Sequence, residues 1–232
     1  MRENSKQGRR PVRSYVLRQG RLTDAQARAL EELWPRYGID EDADTIDLEA
    51  LFGRQAPLVV EIGFGDGAAT WRMATAEPEK NFIGIEVHQP GVGRLLQALE
   101  REGIDNVRIA CTDAVTFMRE RVGAGTLSEL RIYFPDPWPK KRHHKRRIVQ
   151  REFLDLVSVR MQAGGILHLA TDWEPYAEHM LETLTPHPAF ENLSPTGDWC
   201  PRPAWRPETK YERRGDRLGH RSFDLLFRRS DD

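Results

Sequence analysis

From Pro57 onward, short apolar runs ending in glycine or an acid alternate with helical segments, and this alternation constrains the fold more than any other feature. Leu58–Ile62 is an apolar run that stops at glycines, followed by helical spacing over Ala68–Ala76. Residues 81–87 read as the next strand. Pro90 suits a first helical turn and Gly103 a helix end, so 90–102 reads as a helix. Val107–Ala110 and 130–134 read as strands, with a short helix over 114–121 between them. Val149, Phe153, Leu156, Val157 and Met161 then recur at helical spacing, and Gly164-Gly165 are expected to stop that helix. A strand at 166–170, a helix at 173–184 and two late strands at 190–193 and 222–227 complete the pattern. Strands this short and this continuously apolar are buried on both faces, which predicts a parallel, doubly wound α/β sheet. Ligands of such sheets sit outside the carboxyl ends of the strands.

Composition sets the remaining bounds. The chain has 232 residues and a formal net charge of −1, so one α/β domain is expected and overall charge does not point to a polyanionic partner. The charge is nevertheless segregated. Seven basic residues (Arg2, Lys6, Arg9, Arg10, Arg13, Arg18, Arg21) lie against one acid, Glu3, and a second basic block runs from Lys140 to Arg151. This predicts a basic face. Residues 1–22 are read as a flexible basic arm and 23–232 as a single domain, with Thr23 and Asp24 capping a helix over 25–34 that Pro35 ends. An acidic loop is expected from there to about Glu49. Cys111 and Cys200 have no metal-ligand spacing and make no disulfide framework. No apolar run approaches the roughly 20 residues of a membrane span, and the charged start lacks a secretory apolar segment. The expectation is a cytoplasmic protein without a bound metal.

Four strand ends carry chemical signal. The first is Glu61-Ile62-Gly63-Phe64-Gly65-Asp66-Gly67. Glycine at every second position permits positive φ and close backbone approach to a ligand, although a tight structural turn has the same requirement. The dinucleotide fingerprint spaces its glycines differently, with Ala68 at the tolerated last position. The second is Glu86, about 20 residues on, where an acid can accept both ribose hydroxyls or simply remain solvated. Asp113, at the third end, can accept an adenine amino group, cap the helix that begins at Ala114, or do both. The fourth, Tyr133-Phe134-Pro135-Asp136-Pro137-Trp138-Pro139, is the most informative. Two prolines fix the backbone around Asp136, and Trp138 offers a flat face for stacking. Lys140-Lys141-Arg142-His143-His144-Lys145-Arg146-Arg147 follow directly. Basic residues beside an aromatic at a cleft mouth suit a phosphate-rich substrate with a splayed base, against the plainer reading of a solvated basic surface. His168 lies within a strand pattern and reads as a core or supporting residue. Trp199, Trp205 and the prolines at 201, 203 and 207 read as a rigid surface loop.

The run from Phe134 to Arg147 resembles the signature of bacterial tRNA (guanine-N7-)-methyltransferases. The 61–67 loop, Glu86, Asp113, Thr171-Asp172 and Thr209-Lys210-Tyr211-Glu212 fall in that family's order, so the resemblance covers roughly 57–227. It implies a Rossmann-like class I methyltransferase fold with a seven-stranded, mostly parallel sheet, S-adenosyl-L-methionine as cofactor, and a guanine in the tRNA variable loop as target. Carried over, Glu61, Gly63, Gly65, Gly67, Glu86, Asp113 and Asp136 would hold the cofactor, with Asp136 also at the catalytic position. Lys140, Arg142, His143, His144, Lys145, Arg146, Arg147, Asp172, Thr209, Lys210, Tyr211 and Glu212 would contact the substrate RNA. The partner is then tRNA, with no membrane and no obligatory protein partner, in a monomer or homodimer. The competing readings are a nicotinamide-dependent oxidoreductase, a methyltransferase acting on another RNA, a protein or a small molecule, and a non-catalytic RNA-binding protein on the same fold.

Overall fold

A computed structural model describes residues 13–16, 20–40, 45–209, 212 and 221–231. Seven strands form one sheet, in the order β3-β2-β1-β4-β5-β7-β6. They are β1 (Leu58–Ile62), β2 (Asn81–Ile85), β3 (Val107–Ala110), β4 (Leu127–Tyr133), β5 (Met161–Thr171), β6 (Phe190–Asn192) and β7 (Phe223–Arg229). The first five run parallel, while β7 pairs antiparallel with both β5 and β6. Every residue of β1 and β2 is buried, as a sheet covered on both faces requires.

Alternate side chains of one strand feed separate cores. Leu58, Val60 and Ile62 join Phe117 and Met118 of α5 (Ala114–Glu120), Phe153 and Val157 of α6 (Arg151–Arg160) and Tyr176 and Met180 of α7 (Glu174–Leu184). Val59 points the other way, into a core with Ala29 of α1 (Asp24–Tyr37), Met73 of α3 (Ala68–Ala76) and Leu95 and Leu99 of α4 (Gln89–Glu102). Thr23 opens α1 with a reciprocal capping box to Gln26. Gln26 Nε2 then donates to the carbonyl of Pro90 at 3.1 Å, tying α1 to the start of α4.

Besides shifts of a few residues at strand ends, such as β2 ending at Ile85 and β4 beginning at Leu127, three segments differ from expectation. Helix α1 continues through Pro35, because the proline lies in the last turn and Gly38 N–H still reaches the Trp34 carbonyl at 2.7 Å. The acidic stretch contains a short helix, α2 (Leu48–Phe52), capped by Asp47 and closed by left-handed Gly53. Helix α6 ends at Arg160, before the two glycines. Leu127 pairs with Met161 and Glu129 with Ile166, so Gly164 (φ 74°) and Gly165 lie in an irregularity of β5.

Candidate active site at the strand carboxyl ends

Strand order reverses where β1 lies between β2 and β4, and the crevice of a doubly wound sheet opens there. Gly63, Gly65 and Gly67 take φ values of 74°, 61° and 75°, a left-handed conformation that glycine adopts without steric cost. Their environments differ. A Cβ at Gly63 or Gly65 would meet no atom within 4 Å, whereas one at Gly67 would lie 2.6 Å from Leu95. The first two line an open cradle, and the third is a packing position. Gly91, unremarkable in the sequence, is equally constrained: a Cβ there would lie 2.0 Å from the carbonyl oxygen of Gly65. Its bare backbone lets α4 close against the loop.

Glu86 secures that loop. Its carboxylate accepts from the amides of Gly65 (2.9 Å), Val87 (2.7 Å) and His88 (3.0 Å). With about four acceptor positions on a carboxylate, roughly one remains for a ligand hydroxyl. Glu61 is buried, and Thr70 Oγ1 donates to it at 2.6 Å. Burial is the chief influence and, with Glu86 nearby, outweighs Thr70 and Arg131, so the Glu61 carboxyl is pushed up to about 7. Asp113 caps α5, accepting from Thr116 N at 2.8 Å. It also lines a cavity of about 440 Å³ with Arg13, Tyr15, Arg119 and Lys145.

The loop after β4 is bent at two non-glycine residues, Phe134 (φ 51°) and Trp138 (φ 45°). Such conformations persist only where neighbours fix them. Phe134 N donates to the Ala170 carbonyl at 2.8 Å. Arg147 donates through Nε to the Pro137 carbonyl (3.0 Å) and through Nη1 to that of Pro175 (3.4 Å), with its guanidinium 4.7 Å from the Tyr176 ring centroid. The Arg146 guanidinium lies 3.9 Å from the Trp138 ring centroid and donates to the carbonyls of Arg13 and Tyr15, while Trp138 Nε1 donates to that of Ser14. Asp136 is exposed at the crest of this braced loop.

Two expectations therefore need correction. One face of the Trp138 indole is covered by Arg146, and residues 13–15 of the basic arm are docked on this pair. Arg147 is buried under the loop, so its guanidinium does not face the surface. Residues 141–146 form a 3-10 helix that leaves Lys140, Lys141, Arg142 and Lys145 exposed and His143 and His144 half-buried.

Asp172 is exposed just past β5. Thr209 and Glu212 face each other: Thr209 N donates to Glu212 Oε2 at 2.8 Å, and Glu212 N donates to Thr209 Oγ1 at 3.2 Å. Glu212 is buried and held by Arg206, so its carboxylate is turned inward, away from the direct substrate contact implied by resemblance. Lys210, Tyr211 and most of the basic arm lie outside the described residues. Arg206 and Asp224 were missed by sequence reading. The available signal was an acid inside the apolar strand run Phe223-Asp224-Leu225-Leu226-Phe227. Among the described residues no His, Cys, Asp and Glu cluster suits a metal ion, and no helix is long and apolar enough to cross a membrane.

Comparison with known proteins fits this geometry. A family profile described as "Putative methyltransferase" matches residues 55–225. A tRNA (guanine-N(7)-)-methyltransferase of Aeromonas hydrophila is 55% identical over 95% of this chain and 93% of its own length. One of Escherichia coli (strain UTI89) is 52% identical over 98% of this chain and 95% of its own. Among solved structures, the 16S rRNA methyltransferase KamB superposes with a TM-score of 0.58 at 14% identity, over 84% of this chain and 99% of that one. The [4+2]-cyclase SpnF superposes at 0.53 and 17% identity, over 88% of this chain and 81% of its own. At such identities the likeness shows the fold, which hosts more than one chemistry. The sequence relatives decide the matter: this chain belongs to the tRNA (guanine-N(7)-)-methyltransferase family.

Proposed function

We propose that the protein transfers the methyl group of S-adenosyl-L-methionine to N7 of a guanine in the variable loop of tRNA. The observation that carries this reading is the pairing, at one end of the sheet, of an open glycine cradle with a braced acidic loop that leads into exposed cations. The relatives' shared activity supports the same substrate. The cradle fits the cofactor. Gly63 and Gly65 leave room for a ligand against the backbone, Glu86 retains acceptor capacity for a ribose, and Asp113 stands at the next strand end.

Bound there, S-adenosyl-L-methionine supplies an electrophilic methyl group on a sulfonium. Guanine N7 carries an in-plane lone pair and no proton, so no residue has to remove one first. What remains for the chain is alignment, and positioning alone is worth several kcal/mol of barrier. In this reading Asp136 accepts the N1 and N2 hydrogens of the base and offsets the positive charge that the purine acquires. Lys140, Lys141, Arg142 and Lys145, which are exposed, meet the phosphates in this reading. The reading carries with it a cytoplasmic site of action, action as a monomer or homodimer, and an RNA-binding role for the basic arm.

The test is methyl transfer to tRNA transcripts made with guanosine or with 7-deazaguanosine. Transfer to the first and none to the second is expected. Equal labelling of both would place the methyl group on another atom, and preferential labelling of ribosomal RNA would assign another substrate.

A further inference from the structure

The Arg206 guanidinium makes four hydrogen bonds to two carboxylates. Nη1 and Nη2 donate to Glu212 at 2.7 and 2.6 Å, and Nε and Nη2 donate to Asp224 at 2.6 and 2.8 Å. All three side chains are buried: Arg206 is 2% exposed, Glu212 4% and Asp224 1%. The array extends inward. His168 Nε2 lies 2.8 Å from Asp224 Oδ1, and its Nδ1 lies 2.9 Å from the Tyr133 hydroxyl. Burial lowers the His168 ring and outweighs the pull of Asp224, so the ring is neutral. Burial likewise drives the Tyr133 hydroxyl well above its ordinary value, so it keeps its proton. One assignment of protons satisfies every group: Tyr133 O–H donates to Nδ1, and Nε2–H donates to Asp224. Burial alone would raise the Asp224 carboxyl, but His168 and Arg206 together hold it below its ordinary value.

The ends of the array matter more than its middle. Tyr133 is the last residue of β4, directly before the bent Phe134 and three before Asp136. The Arg206 guanidinium lies 5.7 and 5.6 Å from the ring centroids of Tyr133 and Phe134. At the other end, Glu212 takes the amide of Thr209 and returns its own to the Thr209 hydroxyl. One cation therefore holds the root of the Asp136 loop in register with Glu212 and, through it, Thr209. A buried ion triad is a weak stabiliser, since apolar side chains of equal volume often do as well, but it is demanding in geometry. Its four directed bonds suit orientation more than cohesion.

We infer that Arg206 is a positioning residue for tRNA methylation, which through Glu212 ties Thr209 to the base of the Asp136 loop so that Thr209 and Asp136 meet the substrate in fixed register. This rests on the proposed function, because only a substrate spanning both segments would register their alignment. Gly63, Gly65 and Glu86 of the cofactor cradle belong to other elements, so cofactor affinity should respond to the clamp far less than turnover on tRNA does.

The test uses the full chain with Arg206→Lys, which keeps the charge but cannot bridge two carboxylates bidentately. Should that variant not fold, Glu212→Gln breaks the same bridge while leaving Arg206 paired with Asp224. Three readouts are taken: kcat and KM for tRNA, S-adenosylhomocysteine affinity by calorimetry, and amide hydrogen exchange at Thr209 and Glu212. The expected result is weaker protection at those two amides, kcat/KM for tRNA lower by about 10²-fold, and S-adenosylhomocysteine affinity changed far less than that. The double variant should be no worse than the more impaired single one, because the two residues act as a unit. Unchanged turnover despite weaker protection would overturn the clamp. Turnover and S-adenosylhomocysteine affinity falling together, in proportion to folded protein, would also overturn it. A wild-type protein that fails to methylate tRNA sinks the proposed function instead, and the exchange data still report whether Arg206 holds Thr209 and Glu212.

Discussion

Asp136 is exposed on a loop whose neighbours Phe134 and Trp138 sit in conformations costing of order 1–3 kcal/mol each. Arg147 and Arg146 offset that cost from below and from the side. A carboxylate held this way fits an anchor for the base, and Asp136→Asn should lower kcat/KM without adding a steep pH dependence. A rate that instead rises log-linearly with pH would identify an essential ionisation and contradict the anchoring role. Glu61 makes a separate prediction. Unfolded, its carboxyl loses its proton near 4.5; folded, it keeps it to about 7. The folded state binds more protons between those values, so its stability falls as pH rises through them, by about 3 kcal/mol at most. Denaturant titrations of Glu61→Gln across that window should show the slope removed, and an unchanged slope would assign it to other groups. The glycines separate in the same manner. Gly67→Ala should unfold the protein at markedly lower temperature, because its Cβ meets Leu95 at 2.6 Å. Gly65→Ala should cost roughly 1–2 kcal/mol for its backbone and show its main effect as weaker S-adenosylhomocysteine affinity. The glycine spacing was legible in the chain, but which glycine faces open space and which faces Leu95 was not, since that depends on α4 packing from residues 89–102.

The basic run after β4 reads in sequence as one block, yet its 3-10 helix divides it into two populations. Lys140, Lys141, Arg142 and Lys145 face outward, whereas Arg146 and Arg147 brace the loop. Neutralising Lys141, Arg142 and Lys145 together should weaken tRNA binding and reduce the salt slope by about one for each phosphate left without its cation. Arg147→Ala should instead lower thermal stability and change the salt slope little. Identical salt slopes for wild type and the triple variant would reduce the exposed cations to a solvated surface. Charge alone cannot separate these groups, because the division arises from Tyr176 and the Pro137 and Pro175 carbonyls, which are distant in the chain or mute in a composition. Local signals succeeded where the deciding interaction was local. The strand Leu58–Ile62, the helix Ala68–Ala76 and the Thr23 cap all lie as the residues indicate. They failed at Pro35, which the last turn of α1 accommodates, and at the glycines of β5, which strand pairing with β4 runs past.

Across the whole molecule, the parallel sheet was legible from apolar strands alternating with helices, and its strand order reverses at β1, between β2 and β4. The long connection before β7 was not legible. Its key interaction joins Arg206 to Asp224 and Glu212, and no periodicity announces a cation that finds two acids in space. The sheet presents the glycine cradle and the Asp136 loop side by side, and the exposed cations follow directly after that loop. Methylation of guanine N7 in tRNA follows from this arrangement together with the family's activity. The most direct measurement incubates the protein with labelled S-adenosyl-L-methionine and unmodified tRNA transcript, then maps the product by borohydride–aniline cleavage, which breaks the chain at N7-methylguanosine. Cleavage at one guanosine of the variable loop, absent without the protein, is the expected result; label incorporated without such cleavage would contradict N7 of guanine as the acceptor.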